Sequence, residues 1–199
     1  MDLSQAELLR EILAGTGLPD DAALLARALR RSTRRSSGLL ITGPADDEPW
    51  HLTAHLDDEA RYVGTDGLHP RLLRWNVHPG DPEHLSHGIS ALSEAARGDA
   101  VLVVADADVG QQSMDPLLER IAGARRRGVG VFALQEEDTE LTDLASEVLT
   151  LSDYHVPTVS FDESQHLLSL AVGRAPVPAR LGLRKQVSRL LDAWSGRDS

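Results

Sequence analysis

Three short, largely apolar runs constrain this chain most: Ala100–Ala105 (AVLVVA), Val129–Leu134 (VGVFAL) and Val148–Leu151 (VLTL). Strands in antiparallel sheets usually alternate apolar and polar residues, whereas continuous apolar runs suit strands buried on both faces of a parallel sheet. A punctuated helix is expected between the first two runs. Asp115 is its expected N-cap and Pro116 its first residue, and Leu117, Leu118, Ile121 and Ala124 form the apolar stripe. Arg125, Arg126 and Arg127 suit the negative helix end, and Gly128 can take the left-handed exit. Asp99 to Leu151 therefore reads as one βαβ unit followed by a second.

The rest of the chain is less regular. Ser4 and Glu7 form a capping box ahead of Leu8, Leu9, Ile12 and Leu13, and a second helix is expected from near Asp20–Asp21. Gly38–Thr42 reads as the first strand and Trp50–Ala60 as the helix after it, although its apolar pattern is poor. Leu72–Val77 is a candidate strand, and Pro82–Arg97 a helix that Gly88 could break. Ser160 and Glu163 form a capping box before Leu167, Leu168, Ala171 and Val172. A last helix carries Leu183, Val187, Leu190, Leu191 and Trp194. The expected fold is a three-layer α/β/α sandwich around a mostly parallel sheet of about five strands. We expect a single domain over 1–199, with N-terminal helices at 1–36, the core sheet at 37–152 and C-terminal helices at 153–199.

Composition narrows the function classes. The 199 residues carry a formal net charge of −11, which weighs against phosphate-backbone binding and hence against a nucleic-acid partner. The basic patch Arg30, Arg31, Arg34 and Arg35 falls at a helix end, where it complements the dipole. There is no cysteine, so thiol nucleophiles, disulfides and zinc-thiolate sites are out. No apolar run approaches the roughly 20 residues of a membrane span, and the start is acidic and amphipathic rather than a signal peptide. A cytoplasmic protein with no membrane partner is the expectation.

In open α/β sheets, ligands collect at the carboxyl ends of strands. This singles out two loops. Gly43-Pro44-Ala45-Asp46-Asp47-Glu48-Pro49 follows the first strand, and Asp106-Ala107-Asp108-Val109-Gly110-Gln111-Gln112-Ser113 follows Ala100–Ala105. The candidate ligand-binding residues are Gly43, Asp46, Asp106, Asp108, Gly110, Gln111, Gln112 and Ser113. Asp106 and Asp108 could hold Mg²⁺ or act as acid and base; equally, they could cap the next helix and face water. His51 and His55 (HLTAH) lie one helical turn apart, a metal-compatible spacing that surface or interface histidines also produce, and the glutamate of a zincin is missing. His84 and His87, near Glu83 and His78, offer a second metal or acid/base possibility. Ser113 lacks a nucleophile-elbow setting. Trp50 and Trp75 read as packing or interface residues. No metal site and no cofactor are expected, and no catalytic residue can be assigned.

The order of elements from Asp99 to Leu151, with Arg-Arg-Arg-Gly closing the helix and Leu141-Thr142-Asp143-Leu144-Ala145-Ser146-Glu147-Val148-Leu149 before the last strand, resembles the second half of a sugar isomerase (SIS) domain. A closer likeness is to a small SIS-like group of bacterial proteins, the DUF2529 type, on the layout of residues 20–176 and on Val156-Pro157-Thr158. The resemblance implies a flavodoxin-like strand order, a homodimer, and phosphosugar binding through hydroxyl and backbone N–H groups at helix N-termini. Against a phosphate stand the carboxylates of the two loops, which repel a dianion unless cations pair with them. Three functions follow. One is a non-catalytic SIS-like module binding a small anionic metabolite such as a sugar phosphate. The second is a phosphosugar isomerase with acid/base groups from the histidine region at a dimer interface. The third is a degenerate domain acting in protein assembly.

Overall fold

A computed structural model describes residues 11–33, 39–63, 69–81, 85–107, 111–154 and 159–173. Its centre is a five-stranded, all-parallel sheet: β1 (Leu39–Thr42), β2 (Pro70–Leu72), β3 (Ala100–Ala105), β4 (Gly130–Gln135) and β5 (Glu147–Thr150), in the order β2-β1-β3-β4-β5. The helices are α1 (Leu18–Thr33), α2 (Trp50–Val63), α3 (Gln111–Arg126), the single turn α4 (Leu141–Leu144) and α5 (Phe161–Gly173).

The apolar runs behave as a parallel sheet requires. Every residue of β1 and β3 is buried. Leu39, Ile41, Ala100, Leu102, Val104, Phe132 and Leu134 pack with α1, α2 and α5 on one face. Their neighbours Leu40, Val101, Val103, Ala105, Val131 and Ala133 pack with α3, α4 and the 3₁₀ turn Ile89–Ser93 on the other. Period-2 side-chain alternation sends each strand's residues to two separate cores, so both sets must be apolar. In α2, Leu52, Leu56 and Ala60 recur every four residues and are buried. That narrow stripe is enough, although the helix is polar elsewhere.

Several elements differ from the sequence reading. α3 begins at Gln111, not at Asp115–Pro116, so Pro116 lies inside the helix. As the sixth residue it lies past the four N–H groups that have no intrahelical partner, so its missing N–H costs the helix the one bond to the Gln112 carbonyl. β2 is Pro70–Leu72 rather than Leu72–Val77; it is an edge strand, where a proline at the first position is tolerated. Leu73 is still buried and Arg74 makes an isolated parallel bridge with Gly88, but no strand continues beyond it to Val77. Within Pro82–Arg97, the described residues form no α-helix; the longest element there is the 3₁₀ turn Ile89–Ser93, entered from an extended Gly88. Leu151 leaves β5 for a 3₁₀ turn. The Ser160–Glu163 capping box does form: the Ser160 N–H donates to Glu163 at 2.7 Å, and the Glu163 N–H donates to Ser160 Oγ at 3.3 Å. Ser4, Glu7, Arg34, Arg35, Val156-Pro157-Thr158 and the last helix lie outside the described residues.

The arginines closing α3 do more than face a dipole. Arg125 donates to the Asp143 carbonyl, and Arg127 to the carbonyls of Leu92 and Ala95, tying α3 to α4 and to the 3₁₀ turn. Gly128 takes φ +91°, the left-handed exit the sequence suggested. Tyr154 donates its hydroxyl to Asp21 at 2.6 Å, fastening the exit of β5 to α1, and burial followed by Asp21 holds the phenol far above its ordinary value.

Candidate functional site

The order β2-β1-β3-β4-β5 reverses direction between β1 and β3. Chain leaving β1 goes to one side of the sheet and chain leaving β3 to the other, so the carboxyl ends of these two strands part and leave room for a ligand. Both candidate loops leave from this point. Asp47, in the first loop, has its carboxyl pushed above the usual range, by burial first, then by Asp106 in the second loop, then by Asp162 of α5. Two loops far apart in sequence therefore share one electrostatic environment.

Each loop lines its own cleft along the carboxyl edge. Ala45, Asp46, Asp47, Glu48, Trp50, Arg74, Asn76 and His78 line one of about 510 Å³. Asp106, Ala107, Met114 and the turn Glu137–Glu140 line a neighbouring one of about 430 Å³. Gly43 is buried at the first loop's root and makes the turn possible. A Cβ there would lie 2.9 Å from Pro49 Cδ and from the Val104 carbonyl, and closer still to the Asp47 carbonyl. Gly43 thus serves backbone packing between β1 and β3. Asp108 and Gly110 lie outside the described residues, and of Gln111, Gln112 and Ser113 only the backbone, in the first turn of α3, is described.

The sequence reading missed the residue that braces the first cleft. Arg74 donates to Glu48 at 3.3 Å and to Asp81 at 2.7 Å, with only 14% of its side chain exposed, and lies 4.6 Å over the Trp50 ring. The other Glu48 oxygen accepts the Trp75 N–H at 2.8 Å, and the Trp75 indole donates to the Gly43 carbonyl at 2.9 Å. Loop 43–49 is thereby clamped to the chain leaving β2. Asp81 sits below the usual carboxylate range, chiefly through the His78 N–H and then through Arg74. A single arginine in LLRWNV carries no local signal of this, because Glu48 lies 26 residues away. Gln135 was also missed. It is buried at the end of β4, donates to Thr142 at 2.8 Å and Thr150 at 3.0 Å, and accepts from Thr139 at 3.0 Å, fixing the turn that walls the second cleft. The tryptophans are packing residues in part: Trp75 is half-buried, with Arg120 5.4 Å over its ring, while Trp50 faces the first cleft.

The histidine pair on α2 acquires a third member. His166 of α5 lies 4.3 Å from His55 and 6.1 Å from His51, between ring centroids, and His51 lies 5.7 Å from His55. Burial first holds His55 and His166 below the ordinary value, and nearby positive charge, neighbouring imidazoles included, lowers both further; Asp58 and Asp162 work the other way. An unfolded chain takes up protons at these positions near pH 6.5, and the folded one only at lower pH. The unfolded state therefore binds more protons below that value, and stability falls as pH drops from about 6.5 through the folded pKa values. Urea midpoints at pH 7.5 and 5.5 should show this loss, and His55→Gln with His166→Gln should reduce it. His84 lies outside the described residues. Among the described residues, no helix is long and apolar enough to cross a membrane.

No family model matches the chain, and no curated protein does. Solved structures do. The sugar isomerase domain of the RpiR transcription factor from Sphaerobacter thermophilus is similar with a TM-score of 0.52 and 16% identity, over 83% of this chain and 86% of that one. The Vibrio vulnificus NanR protein complexed with ManNAc-6P gives a TM-score of 0.47 and 14% identity, over 94% of this chain and 70% of that one. The first likeness shows the fold: the chain has a SIS-like three-layer α/β fold.

Proposed function

We propose that this chain is a non-catalytic SIS-like module that binds a small sugar-class metabolite, a sugar phosphate, at the carboxyl edge between β1 and β3. The observation that carries this reading is geometric: loops 43–49 and 106–107 both leave the switch point between β1 and β3, where Gly43 packs against the Val104 carbonyl. The fold shared with a sugar isomerase domain supports it. Two ends of such a ligand ask for opposite surroundings. Sugar hydroxyls donate to carboxylates, which Asp46, Asp47 and Asp106 supply. The phosphate needs unpaired N–H donors, which the first turn of α3 at Gln111, Gln112 and Ser113 supplies through the backbone. Glu48 does not oppose the anion strongly, since Arg74 pairs with it. A homodimer belongs to the same proposal, supported by the exposed Ile12 and by Leu24 on α1. The narrower kinship with the DUF2529 type rests on the pattern of residues 99–158.

Calorimetric titration with hexose and pentose phosphates, the free sugars and inorganic phosphate tests the reading. A sugar phosphate should bind more tightly than either part alone. Ala45 is exposed and lines the first cleft. Ala45→Trp should therefore weaken binding by at least about tenfold, roughly 1.4 kcal/mol, with the fold intact. Failure of every sugar phosphate to bind at millimolar concentration would falsify the proposal.

A further inference from the structure

We infer that Trp50 is the sugar-stacking residue of the first cleft, and that it selects a closed pyranose ring over an open-chain sugar. This rests on the sugar-phosphate reading and adds to it which form of the sugar is held. Of the large apolar side chains exposed among the described residues, Trp50 lines one of the two carboxyl-edge clefts, while Ile12, Leu24, Tyr62 and Val77 line neither. Its place follows from the helix that carries it. Side chains on a helix lean toward its N-terminus, and Trp50 is the first residue of α2, so the indole projects past the helix end toward the carboxyl edge of the sheet. There 40% of it stays exposed, a large area for a side chain that is usually well buried.

The cleft has the make-up of a carbohydrate site. A pyranose presents a face of C–H groups ringed by hydroxyls. The face is apolar and flat enough to lie on an indole, and the hydroxyls need polar partners at its edge. Asp46, Asp47, Asn76 and His78 share the cleft with Trp50. Asn76 is exposed and its amide hydrogen-bonds to no described residue, so it has both a donor and an acceptor to offer. The platform is also rigid. The Arg74 guanidinium lies 4.6 Å over the ring and is itself fixed by Glu48 and Asp81, so it braces the indole while two carboxylates balance its charge. Stacking on a ring already held in place loses little rotamer freedom. An open-chain sugar has no such face: its carbon chain bends freely and carries hydroxyls on all sides. The closed ring also masks the carbonyl as a hemiacetal, so a module that holds this form binds the sugar without isomerising it.

The test is calorimetric titration of the full chain with paired analogues, in the glucose, mannose and galactose configurations. One member is an anhydrohexitol phosphate, a pyranose ring that cannot open; the other is the matching hexitol phosphate, which cannot close. The ring-locked member should bind more tightly than its hexitol by about tenfold or more. Trp50→Ala should weaken the ring-locked ligand by about tenfold and the hexitol by less than about threefold, and Trp50→Phe should restore most of the loss. Tryptophan fluorescence should change on binding of the ring-locked ligand, and change less in Trp50→Phe. Circular dichroism checks the fold of both variants, and the comparison of the two ligands on the unaltered chain stands without them. A hexitol phosphate that binds as tightly as its ring-locked partner overturns the inference. So does a free hexose phosphate that binds while its ring-locked analogue does not, a Trp50→Ala chain with undiminished affinity, or binding confined to pentose phosphates. Each of these leaves the sugar-phosphate reading standing, whereas failure of every sugar phosphate to bind removes both.

Discussion

Gly43→Ala is expected to destabilise the protein by about 3 kcal/mol or more, a large effect for one methyl group. The added Cβ meets the Asp47 and Val104 carbonyls and the Pro49 ring. Two of the three are main-chain atoms of elements that cannot retreat. Val104 belongs to a central strand hydrogen-bonded on both sides, and Asp47 begins the approach to α2. Relief must come from opening the turn, which moves loop 43–49 away from β3 and pulls the Gly43 carbonyl off the Trp75 indole. For a chain of this size, the loss corresponds to a fall in Tm of roughly 6–12 °C. Urea unfolding of Gly43→Ala reads it directly. A change under 0.5 kcal/mol, well within the effect of an ordinary surface substitution, would show that the turn is looser than described.

Arg74→Ala is expected to cost about 3 kcal/mol, because it strands Glu48 in a site where only 12% of that side chain is exposed. The penalty is that of an unpaired charge rather than the net worth of the pair, and a double-mutant cycle separates the two. Glu48→Gln keeps an acceptor for the Trp75 N–H, and Arg74→Met keeps most of the aliphatic stem that packs beside Trp50. The double variant Arg74→Met/Glu48→Gln should therefore be more stable than the sum of the single changes indicates, by about 1–2 kcal/mol of coupling. Strict additivity in denaturant melts would mean that solvent already screens the pair.

How far the sequence speaks depends on whether the deciding contacts are local. β3 and β4 were legible to within a residue, because burial on two faces leaves a continuous apolar signature that no other element of that length produces. β1 was legible for the same reason. β2 was not: an edge strand three residues long leaves too little pattern, and the apolar residues of LLRWNV pointed past it to a loop. The start of α3 was misplaced because Asp115–Pro116 has the chemistry of a helix entry, while Gln111-Gln112-Ser113 is neutral about it. The region 82–97 carries Leu92 and Ala95 at helical spacing, but Gly88 and the bonds from Arg127 to the Leu92 and Ala95 carbonyls favour a tighter turn. The two candidate loops were picked out from the expected strand–loop–helix order alone, and they do follow β1 and β3. Arg74, Gln135 and His166 were not, since their partners are brought together only by the folded sheet.

The most direct test of a ligand site at the β1/β3 switch point is amide NMR of the isotopically labelled full chain, titrated with a sugar phosphate that binds it. The expected result is a set of saturating shifts concentrated at residues 43–50, 105–107 and the first turn of α3, lost in Ala45→Trp. Shifts confined to the opposite pole of the sheet, around Asp99, Gly128 and the turn before β5, with loops 43–50 and 105–107 unmoved, would contradict it.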